Sequence, residues 1–508
     1  MKRTWVALGL LGMAFSTLVA QKPISGFFSI AGNIKADYVW RETLELKKGT
    51  PCTLQFITKL KNPTKGESEY QAVLFGTQPF YIPLDEVGKY FTAEPKEKNA
   101  FWTMLLLKKN PDAFAKDEYA SLRQEQCLEA ERYLSELKRN KLFYDDAYIE
   151  DYLQCLLLDM MPDVRLLNRE VNVPVVRLLK SEAPDMMMLG NDVLLISTGM
   201  LATLDTEQEL KALMLREISH YLLDHALVTI QQNINRANRA AFWGAVVDGV
   251  VRATEQTLYE HYDFYQPGLL FATNGLVQSL VNWNIAKRMG LDYAPKLETE
   301  ADKVAMAYME CIGESKDALP SALHKLHDYY LRENDVNRLS KYGSYGTLEE
   351  RLKEMPKPEL QLVDRDFLVK MRSIVSYEAS VQDYNKKYRN SCLLAMKNVN
   401  NNLASADDFL MIARGIMKQT NTSESNVECL MYLDKADMVS EVEDVNITKM
   451  RILLMLRENM TKNAVDMLRK YQSQLDVLYQ QPHTDEDAEW ITAEHLWAEQ
   501  LLEKLYLN

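Results

Sequence analysis

The stretch Arg216-Glu217-Ile218-Ser219-His220 holds the residues of this chain with the most specific chemistry. Glu217 and His220 are three positions apart, so a carboxylate and an imidazole share one face of a helix. In zinc peptidases the spacing H-E-x-x-H brings two imidazoles to one metal, and the intervening glutamate acts on the bound water. Arg216 occupies the first histidine position of that frame. A match of four residues is weak alone, and it needs support from elsewhere in the chain.

Two acidic residues further along the chain have a spacing that suits the same chemistry. Glu298 and Asp302 have the pattern E-x-x-x-D, which places both carboxylates on one helical face. One of them can ligate a metal, and the other can orient a metal-binding histidine by accepting its hydrogen bond. A third segment, residues 344–352, follows and contains Tyr345. Three segments therefore predict one site.

Local patterns around the first motif predict the elements that position it. Residues 192–199 form a short apolar run typical of a buried strand. Thr206 and Glu209 have capping-box spacing, which predicts the start of the helix that carries the E-x-x-H motif. His225 lies five residues after His220, about 140° further round a continuous helix. It is predicted to be a structural histidine that cannot share a metal with His220 unless the helix breaks.

In this order and with these spacings, the segments resemble metallopeptidase family forty-eight, the zinc metalloendopeptidases of the HtpX and CAAX prenyl protease type. The resemblance covers about residues 144–354. It implies a zincin-like domain in which His220 and Glu298 occupy two of the three metal positions and Glu217 is the general base. It also implies that Asp302 orients a metal ligand without binding the metal itself, and that zinc is the cofactor of such a site.

The chain departs from the family pattern at three positions. Arg216 replaces the first zinc histidine, Tyr345 replaces the histidine of a T-H-P loop, and Gly346 replaces its proline. Catalytic zinc normally takes three protein ligands, and a guanidinium removes a donor while adding a charge that cannot be titrated away. A unit charge about 4 Å from Zn²⁺ costs roughly 8 kcal/mol at an effective dielectric constant of about 20. We therefore predict that zinc is absent or weakly bound.

Two arrangements remain open for Arg216. In the first, which we favour, Arg216 replaces the metal by donating a bidentate bond to Glu298 while Asp302 holds His220. In the second, Arg216 is exposed beside an empty, wet cleft. Tyr345 also has two interpretations, because its hydroxyl can stabilise an oxyanion or its ring can pack against the next helix. We favour the packing role.

Beyond the site, the sequence predicts an α+β, mainly helical protein. A small, SH3-like β-domain is predicted over residues 21–110, with strands at 53–57, 70–75, 80–82 and 102–106. The zincin-like metallopeptidase domain follows over residues 111–370. Residues 371–508 form a helical-hairpin tail, either tetratricopeptide-like or a plain bundle. Its predicted helices are 382–398, 406–418, 427–439, 447–458, 462–475 and 487–505.

The first twenty residues have the pattern of a secretory signal peptide. Lys2 and Arg3 precede an apolar run from Trp5 to Ala20, which predicts export to the periplasm, the cell envelope or the extracellular space. No other stretch predicts a membrane span in the mature chain. The net charge is −13, or −15 without Lys2 and Arg3, which argues against nucleic acid as a partner. The six cysteines are scattered and show no disulfide or metal spacing.

These observations favour a pseudopeptidase that binds envelope proteins or extended peptides, a role suited to protein quality control. A peptide is predicted to add to exposed backbone near residues 193–197, because strand addition needs no metal. The alternative is an active zinc-dependent metalloendopeptidase with a non-standard third ligand. A third interpretation makes the peptidase fold only a spacer between the β-domain and the tail. The enzymatic status is left open by the sequence.

Overall fold

The structure of the chain is a computed structural model. It describes residues 29–61, 68–93, 97–114, 118–163, 167, 172–236, 289–291, 293–333, 348–355, 358 and 363–507. The predicted signal peptide and Tyr345 lie outside the described residues. Within them, the fold is α+β and mainly helical, as predicted.

The N-terminal part of the structure is a β-domain. Its strands are β1 (Ile30–Ile34), β2 (Tyr38–Trp40), β3 (Leu44–Leu46), β4 (Pro51–Lys61), β5 (Ser68–Phe75), β6 (Pro79–Pro83) and β7 (Phe91–Ala93), and a short helix α1 (Val87–Tyr90) precedes β7. Five strands form one antiparallel sheet in the order β6-β5-β4-β1-β7, and β2 pairs with β3. The strands predicted at 53–57, 70–75 and 80–82 are confirmed. The SH3-like assignment stays a prediction.

The strand predicted at 102–106 is wrong, because these residues lie in helix α2 (Lys98–Lys109). The run is apolar and aromatic on nearly every position, so it suits a buried strand as well as a helix. Burial separates the two, since Trp102, Thr103 and Leu106 face the core at helical spacing. The indole nitrogen of Trp102 donates to the carbonyl of Met160 at 2.8 Å, which fixes α2 against the central domain.

The central domain combines helices with a small mixed sheet. Its elements are α3 (Ala120–Arg139), α4 (Ala147–Met160), β8 (Val175–Leu179), β9 (Met186–Met188), β10 (Val193–Ser197), α5 (Thr198–Thr203), α6 (Glu207–Leu222), α7 (His225–Arg236), α8 (Pro295–Cys311), α9 (Ala318–Arg332) and α10 (Leu348–Glu354). The strand order is β8-β10-β9, with β10 parallel to β8 and antiparallel to β9. The buried strand predicted before the motif helix is β10.

The prediction that a peptide adds to the backbone at residues 193–197 is wrong. Strand β10 is central in its sheet, so its backbone groups pair with β8 on one side and β9 on the other. All five of its residues are buried, and so are the three residues of β9. Strand addition requires an exposed edge, and β10 does not provide one.

One hydrophobic core continues from the β-domain into the central domain, and it includes Phe80, Trp102 and Met214. Helix α11 (Arg365–Tyr384) gives Met371 to this core and Ala379 to the core of the tail. The predicted domain boundary at residue 370 therefore falls inside a helix that both cores share.

The tail continues with helices that pack on their neighbours in sequence. They are α12 (Tyr388–Asn400), α13 (Ala406–Gln419), α14 (Ser423–Val439), α15 (Val445–Arg457), α16 (Thr461–Tyr479) and α17 (Asp485–Leu507). The last five predicted helices are confirmed. The helix predicted at 382–398 is wrong as one element, because the chain turns between α11 and α12 with Lys386 at φ 63°. The tetratricopeptide-like assignment stays a prediction.

None of the helices in the described ranges is long and apolar enough to cross a membrane. All six cysteines are free thiols.

Lys397 on α12 joins the tail to the peptidase-like domain. Its Nζ donates to the carbonyls of Ala202 at 2.8 Å and Leu204 at 2.6 Å, and it lies 2.8 Å from Asp205 Oδ1. These acceptors immediately precede α6, so this contact ties the tail to the start of the motif helix. Burial lowers the pKa of Lys397.

We expect Lys397→Met to lower the free energy of unfolding by about 2–3 kcal/mol, because it leaves two carbonyls without their donor and Asp205 with Lys325 as its remaining cation. Urea denaturation followed by circular dichroism measures the change. Lys138→Met, at an exposed position of α3, is the control. Equal stability of the two variants would show that the contact at Lys397 contributes little.

Candidate functional site

Helix α6 positions the motif, and its start is the predicted capping box. The Thr206 hydroxyl accepts a bond from Glu209 N at 3.1 Å, and the Glu209 carboxylate accepts one from Thr206 N at 3.2 Å. Such reciprocal bonds satisfy backbone donors that a helix start otherwise leaves unpaired. The helix is buried along most of its length, and Arg216, Glu217 and His220 are each at most 2 % exposed.

Arg216 bridges the two carboxylates of the second motif. Its Nε donates to Asp302 Oδ1 at 2.9 Å, and its Nη2 donates to Glu298 Oε2. Its Nη1 lies 3.6 Å from Glu217 Oε1. The side chain of Arg216 is 1 % exposed. The guanidinium therefore links α6 to α8 from inside the protein.

This geometry confirms the predicted ion pair and corrects its details. Arg216 does not bind Glu298 in a bidentate manner, because it gives one donor to each carboxylate. Asp302 accepts bonds from arginines, and it does not hold His220. The alternative of an exposed Arg216 in a wet cleft is wrong, since the side chain is buried.

A second arginine completes the cluster, and sequence reasoning missed it. Arg351 on α10 donates from Nε and Nη2 to the two oxygens of Asp302, both at 2.7 Å, and its Nη1 is 3.2 Å from Glu298 Oε2. The cluster thus has two guanidinium charges against two carboxylates. Residue 351 lies in the third motif segment, but its spacing gave no sign that it would face Asp302.

The helix break that would bring His225 to His220 is present. Helix α6 ends at Leu222, Asp224 has φ 57°, and α7 begins at His225. The two Nδ1 atoms lie 3.0 Å apart, so one imidazole donates to the other. The helix therefore breaks before His225, which is the condition that the sequence sets for His225 to approach His220.

Both histidines are held in the neutral form. Burial, together with His225 and the two arginines, places the pKa of His220 well below its usual value. Burial also lowers the pKa of His225 to about 4, against the opposing effect of Glu300. The ring of Tyr293 stacks on His220 with centroids 3.8 Å apart. A neutral, stacked and hydrogen-bonded pair of this kind is a packing element.

His220 Nε2 faces the ion-pair cluster, 3.9 Å from Glu298 Oε2. Both His220 Nε2 and Glu298 Oε1 are buried without a hydrogen-bond partner in the part of the chain that the structure describes. These two atoms belong to the residues that the family resemblance assigns as zinc ligands. They converge, but the third position holds the Arg216 guanidinium, whose charge opposes a cation.

His225 does not supply the third donor, because it bonds Nδ1 of His220, on the opposite side of the imidazole from Nε2. No group of three or more histidine, cysteine, aspartate or glutamate side chains suited to a metal occurs among the described residues. The described residues therefore do not supply the three ligands of a catalytic zinc ion. Tyr345 lies outside the described residues, and its two predicted roles stay open.

Glu217, the residue at the general-base position, is enclosed. Its Oε2 accepts a bond from Met188 N on β9 at 3.3 Å. Burial, opposed by Arg216, raises its pKa to about 7. A cavity of about 1170 Å³ lies between the β-domain, α2, α8 and α10, and its wall includes Arg351 and Glu300 but not Glu217. This cavity gives a substrate no route to the general-base position.

A strand-backed helix with E-x-x-H, joined to a second helix with E-x-x-x-D, defines a metallopeptidase-type domain. The family model of peptidase family M48 matches residues 150–370, and this part of the chain belongs to that family. The family in general is zinc-dependent. No curated protein matches the chain significantly. The prediction of the family from the three motif segments is confirmed.

Proposed function

We propose that this protein is a pseudopeptidase: it uses the peptidase fold as a protein-binding scaffold and does not cleave peptides. The buried Arg216 carries the proposal, because its guanidinium occupies the place of a zinc ligand and binds both Glu298 and Asp302. A metal at this place would need the guanidinium to leave. That movement would separate a buried ion pair, which costs several kcal/mol.

The charge balance of the cluster supports the same conclusion. Arg216 and Arg351 match the two carboxylates they bind, so the cluster needs no further cation. A bound Zn²⁺ would add two positive charges beside two buried guanidiniums. At an effective dielectric constant of about 20, each such pair at about 4 Å costs roughly 8 kcal/mol. Two donors from His220 and Glu298 do not offset that repulsion.

An active metalloendopeptidase would need a third ligand and access for water. His225 is on the wrong side of His220, and Glu217 is enclosed by Met188 and Arg216. The described residues therefore carry no observation that favours proteolysis. His220 Nε2 and Glu298 Oε1 are buried without a hydrogen-bond partner among the described residues, and both atoms could bind a metal. We therefore expect that one substitution at position 216 restores a set of three metal ligands.

We propose further that the protein acts after export, in the periplasm or cell envelope, and that its partners are envelope proteins or extended peptides. The pattern of the first twenty residues supports the export. The acidic net charge and the exposed apolar side chains of the tail support protein partners rather than nucleic acid. Such binding suits a role in protein quality control.

The deciding experiment is the metal content of the purified chain without residues 1–20, beside an Arg216→His variant. We expect no zinc in the native chain and about one zinc per chain in the variant, where an imidazole replaces the guanidinium and supplies the third ligand. Elemental analysis after dialysis measures both. Arg177→His, at an exposed ion pair with Glu150, is the control for zinc taken up by an added surface histidine.

A casein-type protease assay with and without chelator accompanies the metal analysis. Near one zinc per native chain, together with chelator-sensitive cleavage, would overturn the proposal. The native chain alone decides this point, so an unfolded Arg216→His variant would not remove the test.

A further inference from the structure

Helix α14 in the tail is apolar on two opposite faces. Its inner face packs Cys429, Leu433 and Ala436 into the tail core. Its outer face exposes Val427 at 69 % and Met438 at 83 %. A surface helix normally exposes a polar face opposite its buried stripe. The outer face of α14 therefore has the composition of a surface that another molecule covers.

The exposed apolar side chains on this face form a row in which Asp434, ion-paired with Arg451, lies between Met431 and Met438. Val427, Met431 and Met438 follow each other at spacings of four and seven residues, so they lie in one row along the helix. Val442, 76 % exposed, extends the row beyond the helix end, and Leu430 widens it. We call these five residues the outer stripe. Clustered exposed apolar residues mark sites of protein interaction, whereas single exposed apolar residues do not.

The described neighbours of α14 do not cover the outer stripe. Helices α13 and α15 pack against the inner face of α14, where Tyr432 and Leu433 are buried, and Arg451 of α15 also reaches Asp434 and Asp437. Leu430 and Met431 are each 42 % exposed. The stripe is therefore accessible in the protein as described.

Acidic side chains surround the outer stripe. The exposed carboxylates are Glu424, Glu428, Asp434, Asp437, Glu441 and Glu443. Among the cations, Lys435 lies over the ring of Tyr432, Arg451 pairs with both Asp434 and Asp437, and Lys470 pairs with Glu443. Carboxylates outnumber cations on both sides of the row, so a partner needs basic residues beside its apolar ones. A second copy of the same face would bring acid against acid.

We propose that the outer stripe binds a basic amphipathic helix of a partner protein. A straight row of apolar residues along a helix packs against the apolar ridge of a second helix. The unbranched side chains of Met431 and Met438 adapt to such a ridge without one fixed shape. This inference rests on the proposed function, because it names the surface through which the pseudopeptidase binds its partners.

Fluorescence anisotropy of the full mature chain with a labelled peptide tests the inference. The peptide is an eighteen-residue helix with leucine at i, i+3, i+4 and i+7 and lysine on both flanks. We expect the native chain to bind it and Met431→Ser/Met438→Ser to lose at least tenfold in affinity. Met460→Ser/Val477→Ser, at exposed apolar positions elsewhere in the tail, is the matched control and keeps native affinity.

Two further peptides separate the contributions of charge and apolar contact. A peptide with glutamate in place of lysine is expected not to bind, and one with serine in place of leucine is expected to bind at least tenfold more weakly. Equal affinity of the stripe variant and the native chain would overturn the inference, as would equal affinity for either altered peptide or no binding at all. A native dimer that the stripe variant loses would replace the partner helix by a second copy.

The exposed positions of the stripe keep the variants folded, and thermal unfolding checks this. Failure of the inference is distinguishable from failure of the proposed function. Zinc and cleavage in the native chain would overturn only the latter, and they would leave the peptide titration unchanged.

Discussion

Replacement of Arg216 by methionine is expected to lower the free energy of unfolding by about 3–5 kcal/mol, the range found when one partner of a buried ion pair is removed. The variant would leave Glu298 and Asp302 buried with Arg351 as their remaining cation. Two carboxylates beside one guanidinium carry an uncompensated charge, and burial makes that charge costly. Methionine keeps an unbranched side chain in place of the aliphatic part of arginine, so the main loss is that of the guanidinium and its bonds.

Urea denaturation followed by tryptophan fluorescence measures the change in stability. The matched control is Arg177→Met, whose ion pair with Glu150 is about half exposed on the arginine side and is expected to contribute at most about 1 kcal/mol. Arg216→Met/Glu298→Gln tests the cause, because removal of the second charge should recover part of the stability. A loss below about 1 kcal/mol for Arg216→Met would show that the cluster does not hold α6 to α8.

Glu378→Gln is expected to make the protein more stable at pH 8, by up to about 5 kcal/mol at a conversion of about 1.4 kcal/mol per pKa unit. Glu378 on α11 is fully buried, and neither carboxyl oxygen has a hydrogen-bond partner among the described residues. Burial raises the pKa of Glu378 from 4.5 to about 8; the nearby Thr198 hydroxyl opposes this shift and Glu182 reinforces it.

The sign follows from the two protonation equilibria of Glu378. Below pH 4.5 the carboxyl is neutral in both the folded and the unfolded chain, so it contributes no pH dependence. Between about pH 4.5 and pH 8 the unfolded chain releases the proton and the folded chain keeps it, so stability falls as the pH rises. Glutamine has the shape of the neutral acid and does not titrate. The variant should therefore lose this part of the pH dependence.

Urea denaturation of both proteins at pH 5 and pH 8 measures the effect. The native chain and Glu378→Gln should have similar stability at pH 5 and diverge at pH 8. Glu503→Gln, at an exposed position of α17, is the control and should leave the pH profile unchanged. Parallel profiles for the native chain and Glu378→Gln would show that Glu378 is not protonated in the folded protein.

Much of the site could be predicted from the sequence, because its motifs are local. The spacing of Glu217 and His220, and that of Glu298 and Asp302, depends only on helix geometry, and both pairs lie on helices as expected. The family assignment followed from the order of these motifs, and it is confirmed over residues 150–370. The capping box of Thr206 and Glu209 could likewise be predicted, since its pattern lies within four consecutive residues.

The contacts between motifs were decided by tertiary packing. Arg216 reaches Asp302 across 86 positions of sequence, and Arg351 reaches it across 49. Helical periodicity reports which residues share a face, and it says nothing about which faces meet. Residues 102–106 show the same limit, because their apolar composition fits a strand or a helix until the core selects one.

The sequence by itself determined the family, the helical tail and the loss of one zinc ligand at position 216. Tertiary structure decided that Arg216 is buried as a bridge, that Arg351 shares its carboxylates, and that His225 turns back onto His220. The physical reason is that a residue's identity fixes the charge it brings, whereas burial and distance fix what that charge binds.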